Sequence, residues 1–563
     1  MDRAGGSGGV GRSDASRGRG GGHAATREGA ARVDAAAGPV AADARVRAHG
    51  DDRQADGAAP RGLILAALMC AMMLAAMDTT IVSTAIPQIV ADLGGFGLFS
   101  WVFSIYLLAQ TVTIPVYGKI SDQFGRKPVL LAGTVVFLIG STACSLAWDM
   151  LSLIVFRGAQ GLGAGAIMAT VATLAGDLYS VRERAAVQGW LSSVWGMAAI
   201  AGPLLGGAFA EYVSWRWIFL VNLPVGALVL ALIGAFLHEG IERHRRRIDY
   251  AGSALVLLSV GMLMFGLLQG GQAWDWLSGP SLAVFGAAAV LLAATVLVER
   301  RAAEPVMPGW LWRRRLLAGS NAAIAGMGVV MMAPNAYLPT FLQSVQGLGA
   351  IAAGLVLASM SFGWPVASAW SGRLYLRIGF RDTALCGALL SLGASAAFLM
   401  LPSPQPVWAV TIDQIMLGAG FGLLSTPLLV GVQSVVGWEG RGVVTGANMF
   451  SRYMGQTMGA ALFGAIFNAA LAARLGKAPA DLAARLPDHV DGVIEALHGA
   501  GATPAVSGYL RDSIEIATRD LFMGMTVFGV LIVLVLLAVP RQFAMLQTPA
   551  GPVARDAGPR GDG

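Results

Sequence analysis

Charge is scarce in this sequence. Only 13% of its 563 residues are Asp, Glu, Lys or Arg, against 55% hydrophobic residues, and the mean hydropathy is +0.64. So little charge cannot keep a globular surface wet, which excludes a soluble protein and leaves a polytopic membrane protein. Cysteine is rarer still. Cys70, Cys144 and Cys386 all fall inside apolar runs, with no CxxC pair and no clustered His. Buried, inert thiols are therefore expected, with no disulfide framework and no metal site. No HExxH and no P-loop GxxxxGK[ST] occurs. That argues against a metalloprotease and an ATP-driven pump, and the chain is expected to be neither an enzyme nor a cofactor carrier. The formal net charge of +6 does not point to nucleic acid, because the bases sit between hydrophobic runs.

Residues 1–60 are Gly, Ala, Arg and Asp with almost no large apolar side chain, and no signal-peptide core. They read as a disordered tail, as do residues 541–563. About fourteen apolar runs lie between, each near the roughly 20 residues that a spanning helix needs. They cover 63–86, 99–118, 128–147, 151–174, 188–210, 217–237, 251–269, 281–298, 319–342, 350–372, 383–401, 407–429, 445–468 and 519–539. The loops alternate in charge. With the N-terminus inside, the inner loops carry Lys119/Arg126/Lys127, Arg182/Arg184, Arg243/Arg245/Arg246/Arg247, Arg300/Arg301/Arg313/Arg314/Arg315, Arg373/Arg377/Arg381 and Arg441. The short outer loops carry Asp92, Asp149, Glu211, Arg216 and Asp275. This places both termini in the cytoplasm of a cell whose inner membrane the chain spans. Segment 469–518 breaks the pattern as a long outer loop, weakly amphipathic near 480–497.

Gly118–Lys127 (GKISDQFGRK) reads as a charged loop pinned between two runs at the cytoplasmic face. Gly118 permits a close helix approach and Gly125 a tight turn. Asp122 suits a helix cap or an ion pair; the plain alternative is a loop that only sets topology. The stretch recurs as Gly372–Arg381 (GRLYLRIGFR), with Leu376 where Asp122 stood, and LGAGFG at 417–422 echoes GLGAG at 161–165. The chain therefore divides into two similar six-helix halves, 61–240 and 319–540, with an inserted helix pair in 241–318. Parallel halves are a transporter architecture with the substrate site between them.

Two buried charges stand out. Asp78, in MDTTIVSTAIP, lies about two-thirds along the first helix. An acid there is costly unless it meets a cavity or a partner, so it either takes up and releases protons or ties two helices together. Arg157, in FRGAQGLGAG, lies within the fourth helix near Gln160. It is either part of the mechanism or a snorkelling arginine. The fifth helix carries GMAAIAGPLLGG, where Gly196, Gly202, Gly206 and Gly207 form a small-residue face and Pro203 a kink.

These stretches together resemble the major facilitator superfamily, and within it the fourteen-helix drug:proton antiporters. GKISDQFGRK is similar to the superfamily's loop 2–3 signature, FRGAQG to its fourth-helix signature, and GMAAIAGPLLGG to the antiporter motif of helix five. MDTTIVSTAIP, WRWIFLVNLPVG (215–226) and RGVVTGANMFSRYMGQTMGAAL (441–462) resemble signatures of the drug exporters. The resemblance implies an all-α membrane protein of the major facilitator fold, two six-helix halves plus two inserted helices. It implies proton-coupled efflux of amphipathic small molecules by alternating access. Asp78 and Arg157 would serve proton coupling or substrate binding. Gly118, Asp122, Gly125, Arg126 and Asp177 would gate the cytoplasmic side, with Asp122 facing a helix start in the other half and Arg126 reaching Asp177. The implied partners are a small-molecule substrate, protons and the lipid bilayer, and in a Gram-negative host a periplasmic adaptor and an outer-membrane channel. A narrow exporter of an endogenous metabolite or self-made antibiotic and a non-transporting membrane sensor or assembly component are the rival readings; the latter would have no use for costly buried charges.

Overall fold

The structure, a computed structural model, describes residues 61–541 and Phe543, apart from 95–97, 240–248, 271–273, 303, 480, 481, 483–485, 487–492 and 494–502. The expected N-terminal tail, the C-terminal tail apart from Arg541 and Phe543, and the basic run Arg243–Arg247 lie outside the described residues. The helices are α1 (Arg61–Leu93), α2 (Phe99–Phe124), α3 (Arg126–Ser145), α4 (Met150–Leu178), α5 (Val181–Tyr212), α6 (Trp217–Leu220) and α7 (Asn222–Phe236). An added pair follows, α8 (Tyr250–Gln269) and α9 (Gly279–Arg301), then the short α10 (Trp310–Arg313). The last group is α11 (Arg315–Ser344), α12 (Ala350–Ala358), α13 (Met360–Ile378), α14 (Phe380–Met400), α15 (Val407–Ser434), α16 (Trp438–Leu475) and α17 (Pro504–Ala538). Among the described residues, fourteen helices are long and apolar enough to cross a membrane, with α6–α7 and α12–α13 each counting once. No strand occurs among the described residues.

Local chemistry sets the helix ends. Asp149 and Ser152 form a reciprocal capping box that starts α4, and Ser180 and Glu183 do the same for α5. Gly125 (φ 100°) separates α2 from α3, and Gly379 (φ 93°) separates α13 from α14. These left-handed breaks sit at matching places in the repeat, where a side chain would be strained.

Two expectations need correction. Gly118–Lys127 is not a loop: α2 runs to Phe124 and α3 begins at Arg126, so only Gly125 breaks the helix. Nor is 469–518 a loop of about fifty residues. Helix α16 continues to Leu475 and α17 starts at Pro504. The hydropathy of both helices fades at Arg474 and around Arg511–Asp520, which ended the apolar runs early, but a helix emerging into water needs no apolar residues to continue. Most of the amphipathic stretch 480–497 lies outside the described residues.

The two halves repeat one packing scheme. Helix α4 lies between α2 and α3, and α15 lies between α13 and α14. Lipid offers helices no hydrophobic drive to associate, so small residues let the backbones close up. A Cβ on Gly163 would stand 2.4 Å from the Phe137 nitrogen, and one on Gly387 2.5 Å from that of Leu424. The halves meet along α2–α16 and α5–α13. At the first crossing Gly118 and Gly442 face each other: a Cβ on Gly118 would lie 2.6 Å from the Gly442 carbonyl oxygen. Helices α8 and α9 pair with each other, and α8 rests on α2 and α16, with Phe265 and Trp101 rings 5.5 Å apart.

Gly163→Ala should therefore lower the thermal unfolding midpoint of the purified protein, since overpacking costs about 1–3 kcal/mol. Gly286→Ala, whose Cβ would meet nothing within 4 Å, should leave the midpoint unchanged or raise it through helix propensity, by at most about 1 kcal/mol. Equal midpoints for both variants would show that the α3–α4 crossing is slack.

Candidate functional site: a buried ion pair and an interhalf latch

Asp78 on α1 is wholly buried, and so is Arg157 on α4. The Arg157 Nη1 donates to Asp78 Oδ2, and Gln160 Nε2 donates to Asp78 Oδ1 at 2.8 Å. Arg157 and Gln160 are three residues apart, on one face of α4. Nη1 also reaches Gln160 Oε1 at 2.9 Å, and Nε donates to the Val102 carbonyl at 3.1 Å. The guanidinium stands 4.2 Å over the Tyr106 ring, whose hydroxyl donates to Ala75 O at 3.2 Å. Arg157 Nη2 is buried without a hydrogen-bond partner among the described residues. Arg157 is therefore no snorkelling residue. Its charge is held in the first half against a single carboxylate, an arrangement that loses about 3–5 kcal/mol if one partner is removed.

The residues after Asp78 join this pair to α5. Thr80 Oγ1 donates to Ala198 O at 2.9 Å, and a Cβ on Gly202 would lie 2.0 Å from that hydroxyl. Glycine at 202 is what lets α5 lie against α1. Gly196 faces the other half: a Cβ there would stand 3.1 Å from Ser361 Cβ on α13. Gly206 is buried, and Gly207 has nothing within 4 Å of its would-be Cβ, so the four glycines do not form one packed face. The Pro203 side chain lies outside the described residues.

The second cluster sits where α2 ends. Asp122 Oδ1 accepts from Gly442 N at 2.8 Å and Oδ2 from Val443 N at 2.9 Å, in the opening turns of α16. The carboxylate thus meets the positive end of a helix from the other half. Arg126 binds Asp122 at 2.6 Å, Asp177 at 2.8 Å, the Ser121 carbonyl at 2.8 Å and the Trp438 carbonyl at 2.8 Å. Its guanidinium also lies 3.7 Å over the Trp438 ring. Asp177, the last acid of α4, pairs through its other oxygen with Arg441 at 2.5 Å. Gln433 on α15 adds a bond to the Ala172 carbonyl at 3.1 Å, and Tyr375 on α13 donates to the Val181 carbonyl. Gly118, Asp122, Gly125, Arg126 and Asp177 are thereby brought to one place, at the end of the bundle where the basic residues gather.

Several members of these clusters had no role in the sequence reading. Glu239, just past α7, accepts from the Arg126 and Lys127 nitrogens at 3.0 and 2.9 Å. Burial lifts its carboxyl above the ordinary value, while the two backbone donors pull the other way. Trp438 lies just before the exporter-like stretch 441–462, and Arg441, which opens that stretch, reads in the sequence only as a loop charge. Tyr106 carries no sequence signal beyond lying in an apolar run, and Gln433 none beyond lying just past one. Asp413 is buried with Oδ2 accepting from Gln414 at 3.1 Å and Oδ1 unpartnered among the described residues. Cys144 is buried as expected, whereas Cys386 is exposed and Cys70 half-buried.

Comparison with known proteins agrees with this architecture. Residues 68–460 match the Major Facilitator Superfamily. Over 404 residues, 72% of this chain and 79% of the relative, the sequence is 34% identical to Multidrug resistance protein 3 of Bacillus subtilis. It is 32% identical to Multidrug transporter protein MdtP of the same organism, over 73% of this chain and 76% of that protein. Efflux pump FUS6 of Gibberella moniliformis is 30% identical over 72% and 74% of the two chains. Among solved structures, the human organic anion transporter MFSD10 aligns with 85% of this chain and 99% of its own, at a TM-score of 0.56 and 14% identity, a likeness of fold alone. With fourteen candidate spans, a repeated half and a family match across most of its length, the chain belongs to the major facilitator superfamily of membrane transporters.

Proposed function

We propose that the protein exports amphipathic small molecules, such as drugs, antiseptics and dyes, across the cytoplasmic membrane in exchange for protons. The observation that carries this reading is the buried Asp78–Arg157 pair, a charge in hydrocarbon with one carboxylate to balance it. The names of the relatives, multidrug transporters and efflux pumps, support the substrate class. The gathering of basic residues at the latch end supports a cytoplasmic placement for that end and for both termini. Residues 61–240 and 319–540 serve as the two rocking bodies, with 241–318 as an inserted pair.

A proton reaching Asp78 from outside neutralises the carboxylate and frees Arg157 and Gln160 to find other acceptors. Thr80 passes the change to α5, and α5 bears on α13 across the interface. Asp122, Arg126, Asp177 and Arg441 hold the cytoplasmic end shut while the outer end admits protons and releases substrate. Opening that end separates Asp122 from α16. In a Gram-negative host the exporter would deliver its substrate to a periplasmic adaptor and an outer-membrane channel.

Ethidium efflux from energised cells lacking their own pumps tests the coupling. Wild-type protein should clear the dye, and a protonophore or Asp78→Asn should each bring the rate down to that of empty vector. Efflux that persists after the proton gradient is dissipated would refute the exchange. No efflux above vector, with the protein shown to be in the membrane, would replace the broad specificity with a narrow one.

Asp122→Asn tests the latch separately. Removing one member of a buried charge network costs about 3–5 kcal/mol, enough to shift a two-state balance by roughly two to four orders of magnitude. A Val443→Cys reporter in a Cys386→Ser background, protected in the latched state where Val443 is buried, should react with maleimide at least tenfold faster when Asp122→Asn is added. An unchanged labelling rate would remove Asp122 from the gate.

A further inference from the structure

The two copies of the repeat differ in what lies over them. On α2, Val112 and Val116 are buried, α8 packs alongside, and Lys119 is tied to Glu304 at 2.7 Å. The same offsets from Gly372 on α13 are held by Val366, Trp370 and Arg373. Val366 and Trp370 are each 66% exposed, and Arg373 is exposed too. Arg377, one turn further along the same face, is also exposed. Among the described residues neither arginine has a carboxylate partner; Arg373 lies only near the Trp370 ring, at 5.7 Å. A groove of about 730 Å³ runs along this face, lined by Phe362, Val366, Trp370, Arg373 and Arg377 with Ile415 of α15 as its floor. Helices α13 and α15 cross tightly behind it, since a Cβ on Gly363 would lie 2.2 Å from the Ile415 carbonyl oxygen.

We propose that this groove binds an anionic phospholipid of the leaflet at the basic end. The phosphate sits at Arg373 and Arg377, and one acyl chain runs past Trp370 and Val366 to Phe362. Three features select this occupant. The two unpaired guanidinium groups ask for an anion, and arginine suits phosphate by its forked donors. The remaining wall is apolar and asks for hydrocarbon. The length also fits: Phe362 to Arg377 rises roughly 22 Å along a helix at about 1.5 Å per residue, and one leaflet of hydrocarbon plus its headgroup layer is about 20 Å thick. A basic pocket between spanning helices on the cytoplasmic side is the usual setting for an acidic headgroup. The site rests only on the membrane-spanning reading and stands whatever the transported substrate is.

The test uses the full chain, purified and delipidated in mild detergent, and titrated with dioleoylphosphatidylglycerol or dioleoylphosphatidylcholine while bound lipids are counted by native mass spectrometry. The first phosphatidylglycerol should bind several-fold more tightly than phosphatidylcholine. Each arginine near an anionic headgroup contributes on the order of fivefold, so R373Q/R377Q should weaken phosphatidylglycerol roughly twentyfold and leave phosphatidylcholine unchanged. R313Q/R314Q, also at the basic end but away from the groove, should keep wild-type binding. Matching melting curves for the variants exclude misfolding as the cause. Equal phosphatidylglycerol binding by R373Q/R377Q and wild type would overturn the site. A dimer that survives delipidation and is lost in Val366→Arg would overturn it too, by assigning the groove to a second copy of the chain.

Discussion

A guanidinium group buried inside a membrane protein has nowhere to discharge its demand for acceptors except into the protein itself. Arg126 meets that demand with two carboxylates and two backbone carbonyls, drawn from α2, α4 and α16, and with the face of Trp438. None of these partners can leave without stranding the others: Asp122 also caps α16, and Asp177 also holds Arg441. The closed end is therefore not a sum of weak contacts. It is one network whose members are buried together, and on the proposed reading they are released together, as a two-state element would be.

The Asp78–Arg157 pair obeys the same constraint with far less redundancy. Arg126 has two acids and Arg157 has one, with Gln160 bridging. On the proposed reading, that difference divides the labour. The single carboxylate is where one proton changes the balance of charge, and the multiply bonded cluster is what resists until the halves rearrange. Glycine makes the link mechanical. Gly202 seats the Thr80 side chain against α5, Gly196 faces Ser361 of α13, and Gly118 meets the Gly442 backbone, so on that reading small shifts pass across short, close-packed contacts.

What the sequence disclosed follows from cost. Hydrocarbon forbids unpaired polar groups, so fourteen apolar runs and the charges within them were visible without coordinates, and Asp78 and Arg157 drew attention because they are expensive. The break at Gly125 was visible as a glycine that permits a tight turn. What stayed hidden was of two kinds. Helix ends beyond the bilayer carry no hydropathy signal, which is why α16 and α17 were read too short. Partners chosen by tertiary packing have no local signature: nothing around Glu239 says that it will cap α3, and nothing around Trp438 says that Arg126 will stack on it.

The repeat explains why the latch is built on one side only. A duplicated half would give two equivalent crossings, α2–α16 and α13–α5. In the first, Asp122 reaches backbone nitrogens of the opposite helix; in the second, Leu376 stands at that place and the cross-contact is the neutral Tyr375 hydroxyl on the Val181 carbonyl. The inserted helix α8 lies on the first crossing, while the counterpart face on α13 is bare. The two crossings thus answer to different influences. On the proposed reading, the first crossing answers to the charges gathered around Asp122, whereas the second is held by close packing, with Gly189 against Ala369. On the proposed reading, the α5–α13 crossing therefore behaves as the pivot and the α2–α16 crossing as the lock. The two unpaired arginines beside the pivot make it the side on which the composition of the membrane can act.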